Sequence, residues 1–151
     1  MTKSPPLSIR NRALGLLARR EHSRAELQSK LAPHTEDTAE ITALLDDLEQ
    51  RDFVSDARFA AEFVRAKSQR FGAAYIAYAL REKGVSQEII DEALAAATDG
   101  ELERARRVWQ SKFGTLPTSF EGRGKQTRFL AGRGFSSEII RKVLRGEDFD
   151  G

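Results

Sequence analysis

A fifteen-residue segment of this chain recurs in altered form. Leu80-Arg-Glu-Lys-Gly84-Val-Ser86-Gln-Glu88-Ile89-Ile90-Asp-Glu-Ala-Leu94 returns fifty positions later as Leu130-Ala-Gly-Arg-Gly134-Phe-Ser136-Ser-Glu138-Ile139-Ile140-Arg-Lys-Val-Leu144, with seven positions identical. Val85/Phe135, Lys83/Arg133 and Ala93/Val143 keep their chemical character. The same offset carries Phe59 to Trp109, Phe63 to Phe113 and Gly72 to Gly122, which extends the repeat upstream. Self-similarity at such a period marks a repeated supersecondary unit. Units that stack in a row make elongated surfaces, and these serve macromolecular binding more often than catalysis.

The periodicity is helical throughout, with no alternating stretch long enough for a strand. A first helix is expected from about Ser8 to Glu21, with Leu14, Leu17 and Ala18 on its buried stripe. Ser23-Arg-Ala-Glu26 has the form of a capping box and opens a short helix carrying Leu27 and Leu31, stopped near Pro33. Asp37-Thr-Ala-Glu40 opens a third, with Ile41, Leu44, Leu45 and Leu48 at helical spacing. A second unit begins near Ser55 or Asp56 with Phe59, Ala60, Phe63 and Ala66 on one face, breaks at Gly72, and continues through Ile76 and Leu80 to Gly84. Ser86 then caps a helix containing Ile89, Ile90, Ala93 and Leu94. In the third unit, Thr98-Asp-Gly-Glu101 has the capping-box form and Leu102, Ala105, Val108, Trp109 and Phe113 are the apolar set. Gly114 to Gly124 is the least regular stretch, and Phe129 and Leu130 lead to Gly134, Ser136 and the last helix. The expected architecture is all-α: three tandem three-helix repeats over residues 9–54, 55–98 and 99–146, forming an elongated, curved rod. Each unit is about 45–50 residues, too few for a secure core alone, so neighbours must pack.

With 40% hydrophobic and 32% charged residues the chain reads as globular and soluble. No apolar run approaches a membrane span of about 20 residues, and Met1–Pro6 lacks the apolar core of a signal peptide. The absence of cysteine excludes disulfides and thiolate zinc sites, and fits a cytoplasmic location. His22 and His34 have no partner histidine nearby, so neither a metal nor another cofactor is expected. No cysteine nucleophile, Gly-x-Ser-x-Gly elbow or phosphate-binding glycine loop occurs, so the chain is not expected to be an enzyme. Gly122-Arg-Gly124-Lys125 has the wrong spacing and no preceding strand. Asp46-Asp47 and Asp91-Glu92 read as solvated helix faces. Trp109, Phe59, Phe63, Phe113 and Phe129 fall on apolar stripes and read as packing residues, whereas Phe71, Phe120, Tyr75 and Tyr78 are less clearly internal.

The net charge is only +2, yet its distribution is uneven. Residues 1–35 carry seven basic and two acidic side chains, residues 36–99 seven and fourteen, and residues 100–146 eleven and four. Two basic ends flank an acidic middle, a statement about partners and not about fold. The repeat supplies a control: Arg141, Lys142 and Arg145, outward on the last helix, correspond to Asp91, Glu92 and Ala95. The scaffold tolerates either sign there. With Arg104, Arg107, Arg128 and Arg133 these residues form a candidate surface for phosphates or carboxylates on a partner. An uncommitted, solvating charge face is the other reading. Unit one adds a smaller group, including Arg10, Arg12, Arg19, Arg20 and Arg24.

Asp56-Ala-Arg58-Phe59-Ala60, followed by Phe71-Gly72, Ile76, Leu80, Lys83-Gly84-Val85-Ser86 and Ile89, resembles the central signature of the RecX family. Ala13-Leu14-Gly-Leu-Leu17-Ala-Arg19-Arg20 with Ser23-Arg24-x-Glu26-Leu27 resembles that family's N-terminal stretch, and Leu130-Ala-Gly-Arg133-Gly134-Phe135-Ser136 its C-terminal one. The match runs from about Arg12 to Leu144, without Gly114–Gly124. The resemblance implies a regulator of the recombinase RecA. Such a protein lies in the groove of the RecA filament on single-stranded DNA, with direct DNA contact open, and inhibits ATP hydrolysis, strand exchange and filament growth. A monomer is expected, since no long heptad seam is visible. Two other readings stay open on the residues alone: a stand-alone nucleic-acid-binding protein, whose helices meeting at Gly84 resemble helix-turn-helix units, and a helical-repeat adaptor for protein partners.

Overall fold

The computed structural model describes residues 7–97 and 100–146. These fold into nine α-helices and one short 3-10 turn: α1 (Ile9–Arg19), α2 (Arg24–Leu31), the 3-10 turn Ala32–His34, α3 (Thr38–Gln50), α4 (Asp56–Lys67), α5 (Ala73–Glu82), α6 (Gln87–Ala95), α7 (Glu101–Lys112), α8 (Phe120–Gly132) and α9 (Ser137–Leu144). Polar N-caps start seven of them: Ser8, Ser23, Asp37, Ser55, Ser86, Ser119 and Ser136 each accept a hydrogen bond from a first-turn amide. Each cap satisfies a backbone donor that the helix itself leaves free. The Ser23–Glu26 capping box is complete, with Ser23 fully buried. The Thr98-to-Glu101 box cannot be placed, because Thr98 and Asp99 lie outside the described residues; α7 has Gly100 at its N-cap with φ 85° and no side-chain cap.

Burial divides the chain into three cores in a row. Leu27, Leu31, Leu45 and Leu48 centre the first, Phe59, Ile76, Leu80 and Ile90 the second, and Trp109, Leu130, Ile140 and Leu144 the third. Each core is roofed by three helices. In α1 the buried pair is Ile9 and Ala13, with Leu14 and Leu17 half-buried; Ala18, expected inside, is exposed because the stripe runs along the other side of that residue.

Similarly built joints hold the units together. Gly84 and Gly134 end α5 and α8 in the left-handed conformation, φ 79° and 91°. In each case the next amide, Val85 or Phe135, returns to the carbonyl of Leu80 or Leu130 at 3.1 and 3.2 Å. The preceding unit docks against this turn. Ser23 Oγ donates to the Lys83 carbonyl at 2.7 Å, and the Gly72 amide donates to the Arg133 carbonyl at 2.7 Å. A second bond repeats as well: the first amide of α2, Arg24, reaches Asp56 Oδ1 at 2.8 Å, and the first amide of α5, Ala73, reaches Glu101 Oε1 at 3.4 Å. Asp56 and Glu101 are the opening residues of α4 and α7. Thus every joint places the N-terminus of a unit's second helix against both the second turn and the first carboxylate of the unit that follows.

No room is left at these turns. A Cβ on Gly84 would overlap Ala25 Cβ, and one on Gly134 would stand 2.5 Å from the Tyr75 amide nitrogen and Cβ. Gly72 replaces the serine cap of α2 because any side chain there would run into the Gly134 carbonyl. The first joint adds ion pairs: Glu26, 8% exposed, meets Arg20 at 2.8 Å and Lys83 at 3.4 Å, and Arg58 pairs with Glu21.

The fifty-residue offset holds only for the second half of each unit. α7 begins and ends forty-five residues after α4, so Ala105 and Trp109 occupy the places of Ala60 and Val64, and Val108 that of Phe63. The expected matches of Phe59 with Trp109 and Phe63 with Phe113 are therefore out of register. Two additional residues between α7 and α8, and three more at the start of α8, account for the difference. Within the stretch expected to be irregular, only its first part lacks helix: α8 begins at Phe120 and includes both Gly122 and Gly124. Gln126, buried, accepts from Trp109 Nε1 at 2.8 Å and donates to the Thr115 carbonyl at 3.1 Å, which pins the longer connection to the core.

Two outcomes check the joints. Gly134→Ala adds left-handed backbone strain and overpacking, so it should lower the unfolding free energy by about 3 kcal/mol. Gly15→Ala, with nothing within 4 Å of the new Cβ in mid-helix, should raise it by about 0.5–1 kcal/mol in the same urea titration. Glu26 supplies the second. Burial pushes its carboxyl up, but the Arg20 hydrogen bond and the Arg20 and Lys83 charges outweigh that and hold it at about 2 against an ordinary 4.5. A depressed folded value means the stabilisation is complete above pH 4.5 and disappears as pH falls toward 2. Glu26→Gln should cost on the order of 2 kcal/mol at neutral pH, after allowing for solvent screening of its half-exposed partners. The variant's unfolding free energy should also fall less steeply between those two pH values.

Candidate functional site

The basic side chains singled out from the sequence meet different fates. Arg20 is tied to Glu26 and to the Glu21 carbonyl. Arg19 is exposed, and half-buried Arg12 keeps its Nε from solvent with no hydrogen-bond partner among the described residues. Arg104 is half-buried on α7, while Arg128 folds back over Gly124 of its own helix. Arg141 and Arg145 are exposed, and Lys142 pairs with Glu138 one turn away at 3.6 Å. Arg107 and Arg133 come together.

They do so in a groove of about 430 Å³ at the joint between the second and third units. Its charged lining is Arg70, Arg107, Lys112 and Arg133, with Phe129 and Val108 as apolar floor and no carboxylate. Arg133 sits 5.1 Å from the ring centres of both Phe71 and Phe129 and donates to the Arg70 carbonyl at 3.4 Å. Lys112 Nζ lies 5.5 Å from the Phe129 ring, and the Arg70 guanidinium 5.9 Å from Phe71, whose other neighbour is the stacked ring of Tyr75. These cation–π contacts hold long, flexible cations in place without neutralising them. None of the four joins an ion pair among the described residues.

A groove of the same construction lies at the first joint and differs in charge. It is lined by Arg20, Lys67 and Lys83 together with Glu21 and Glu62. Lys67 and Lys83 correspond to Lys112 and Arg133. Glu62 corresponds to Arg107 across the forty-five-residue offset of α4 and α7, and Glu21 to Arg70, since Ser23 and Gly72 are equivalent caps. Two carboxylates of the first groove are thus two guanidinia in the second, whereas Arg20 gives way to neutral Gln69. Sequence reasoning missed Arg70, because it sits in the acidic middle of the chain, and Lys112, because the fifty-residue register hides its match to Lys67.

Other chemistry finds little footing. His22 is buried, with Nδ1 3.0 Å from the Arg20 carbonyl and Nε2 3.1 Å from Lys30 Nζ. That pattern suits a neutral ring, and burial indeed pushes its pKa down. Among the described residues no cluster of metal-ligating side chains occurs, and no helix is long and apolar enough to cross a membrane.

The three units match three family models in order: "RecX, first three-helix domain" over residues 10–48, the second over 55–94 and the third over 99–144. The chain belongs to the RecX family. It is 49% identical to the "Regulatory protein RecX" of Leptothrix cholodnii, over 97% of this chain and 93% of that protein. With the protein of that name from Ralstonia nicotianae the identity is 42%, over 95% and 90%. The crystal structure of RecX from Lactobacillus salivarius shares the fold with a TM-score of 0.78, covering 91% of this chain and 93% of that one at 23% identity. The all-helical, three-unit architecture is therefore that of the RecX family, whose named members are regulatory proteins.

Proposed function

We propose that this chain regulates the recombinase RecA. It acts as a cytoplasmic monomer that lies along the groove of the RecA filament on single-stranded DNA, inhibiting ATP hydrolysis, strand exchange and filament extension. Membership of the RecX family supports the partner. The single observation that carries the mode of action is the row of three units with like joints, which offers grooves of similar shape in series to a filament whose subunits also repeat. Several weak contacts made by one rod act together as one strong attachment. Such a rod opposes subunit rearrangement only if it binds one filament state better than another. The basic terminal units, including Arg12, Arg19, Arg20, Arg104, Arg128, Arg141, Lys142 and Arg145, approach phosphates or acidic partner surface. The acidic middle unit faces basic recombinase surface.

A stand-alone nucleic-acid-binding protein is the second reading, favoured by the all-cationic groove at the second joint. The two readings separate in a titration of RecA ATP hydrolysis dependent on single-stranded DNA, run with DNA in excess. Regulation of the filament should inhibit well below one molecule per RecA subunit. No inhibition at any ratio, or inhibition that disappears whenever bare DNA is added, contradicts it.

A further inference from the structure

We infer that the groove at the second joint is a binding site for the sugar-phosphate backbone of single-stranded nucleic acid, with Arg70, Arg107, Lys112 and Arg133 as its cationic contacts. Four like charges converge in one concave site with no carboxylate among its lining residues. A concave site focuses the field of its charges, and mutual repulsion among them is relieved by an anion. The scaffold does not demand this arrangement, since the first joint builds the same groove with Glu21 and Glu62 where the second has Arg70 and Arg107. Folding therefore leaves the charge of these two positions open.

A strand fits better than a compact anion or an acidic peptide. Three of the cations are guanidinia, whose planar forks match phosphate oxygens two at a time. Arg70 and Arg107 are exposed, while Arg133 is held between two rings and keeps most of its donors free. Cations gathered along one groove suit a chain whose phosphates recur along its length. For a peptide the groove offers little to read side chains: Val108 and Phe129 are its apolar residues. The site deepens the filament-regulator reading, because the strand is then the one on which the filament is built, but it stands on the groove's own charge.

The test uses the full chain and a fluorescein-labelled oligothymidylate of about twenty nucleotides, followed by anisotropy across a salt series. Arg70→Glu with Arg107→Glu recreates the residues of the first groove, and helical circular dichroism should match the unaltered chain. Its affinity should fall about tenfold or more, with the slope of log K against log salt shallower by about 1.4 for two lost phosphate contacts. Arg65→Glu with Arg123→Glu removes the same charge outside the groove and should shift binding less than about threefold. Equal losses in the two pairs, or none in the first, would overturn the assignment. So would polyglutamate competing as well as an unlabelled oligothymidylate, which would make the groove an acidic-peptide site. Inhibition of RecA ATP hydrolysis by the unaltered chain is scored separately, so failure of the groove and failure of the regulator reading are told apart.

Discussion

Two glycines with no room for a methyl group organise this molecule. Gly84 and Gly134 close helices α5 and α8 in the left-handed conformation, and the neighbouring unit fills the space where a side chain would stand. The close approach lets the carbonyls of Lys83 and Arg133 accept from Ser23 and Gly72. It also sets the first amides of α2 and α5 against Asp56 and Glu101. Amides at a helix start ordinarily need a cap or water. Here the next unit caps the first of them, so docking completes the capping of α2 and α5. Each three-helix unit is too small to be secure alone, and the joint couples its helix starts to its neighbour's core.

The first and last units depart from the repeat at turns that meet no neighbouring unit among the described residues. The second turn of unit one is a 3-10 segment containing Pro33 instead of a left-handed glycine, and no described unit docks against it. The first turn of unit three and the start of α8 together carry the five additional residues, with Leu116 and Phe120 exposed. Both positions are freed from the clearance that constrains Gly72, Gly84 and Gly134. Terminal units of stacked arrays commonly differ from internal ones for this reason. The joints themselves also create concave space between units, and the two grooves differ chiefly at Glu21/Arg70 and Glu62/Arg107. Geometry is conserved between them and charge is not, which is how one scaffold comes to present a mixed surface at one joint and a cationic one at the next.

Much of the fold was legible in the sequence because its signals are local. The Ser23–Glu26 box, the serines at positions 55, 86 and 136, and the glycine after each of α5 and α8 all act within a few residues of their own helix. The cross-unit bonds were not legible. Arg24 meets Asp56 across 32 residues and Ala73 meets Glu101 across 28, and nothing in either carboxylate's immediate surroundings marks it as a joint residue. The register error around Phe59 and Trp109 had a related origin: an insertion in an exposed turn shifts the numbering but leaves the packing of Ala60 and Ala105 alike. Of the groove, Arg107 and Arg133 were found as basic residues of unit three. Their convergence with Arg70, and the pair of rings that holds Arg133, depend on how two units meet.

The joints and the cationic groove require the units to be docked in solution, and the amide of Gly72 reports on this most directly. It precedes α5, has no partner within its own unit, and donates at 2.7 Å to the Arg133 carbonyl across the joint that forms the cationic groove. Hydrogen exchange measured residue by residue by NMR should find it protected to nearly the same degree as the Leu80 amide in the core of α5. Exchange at the rate of an open turn, with Leu80 still protected, would mean that the second and third units are not docked. The shared groove would then not exist as a site.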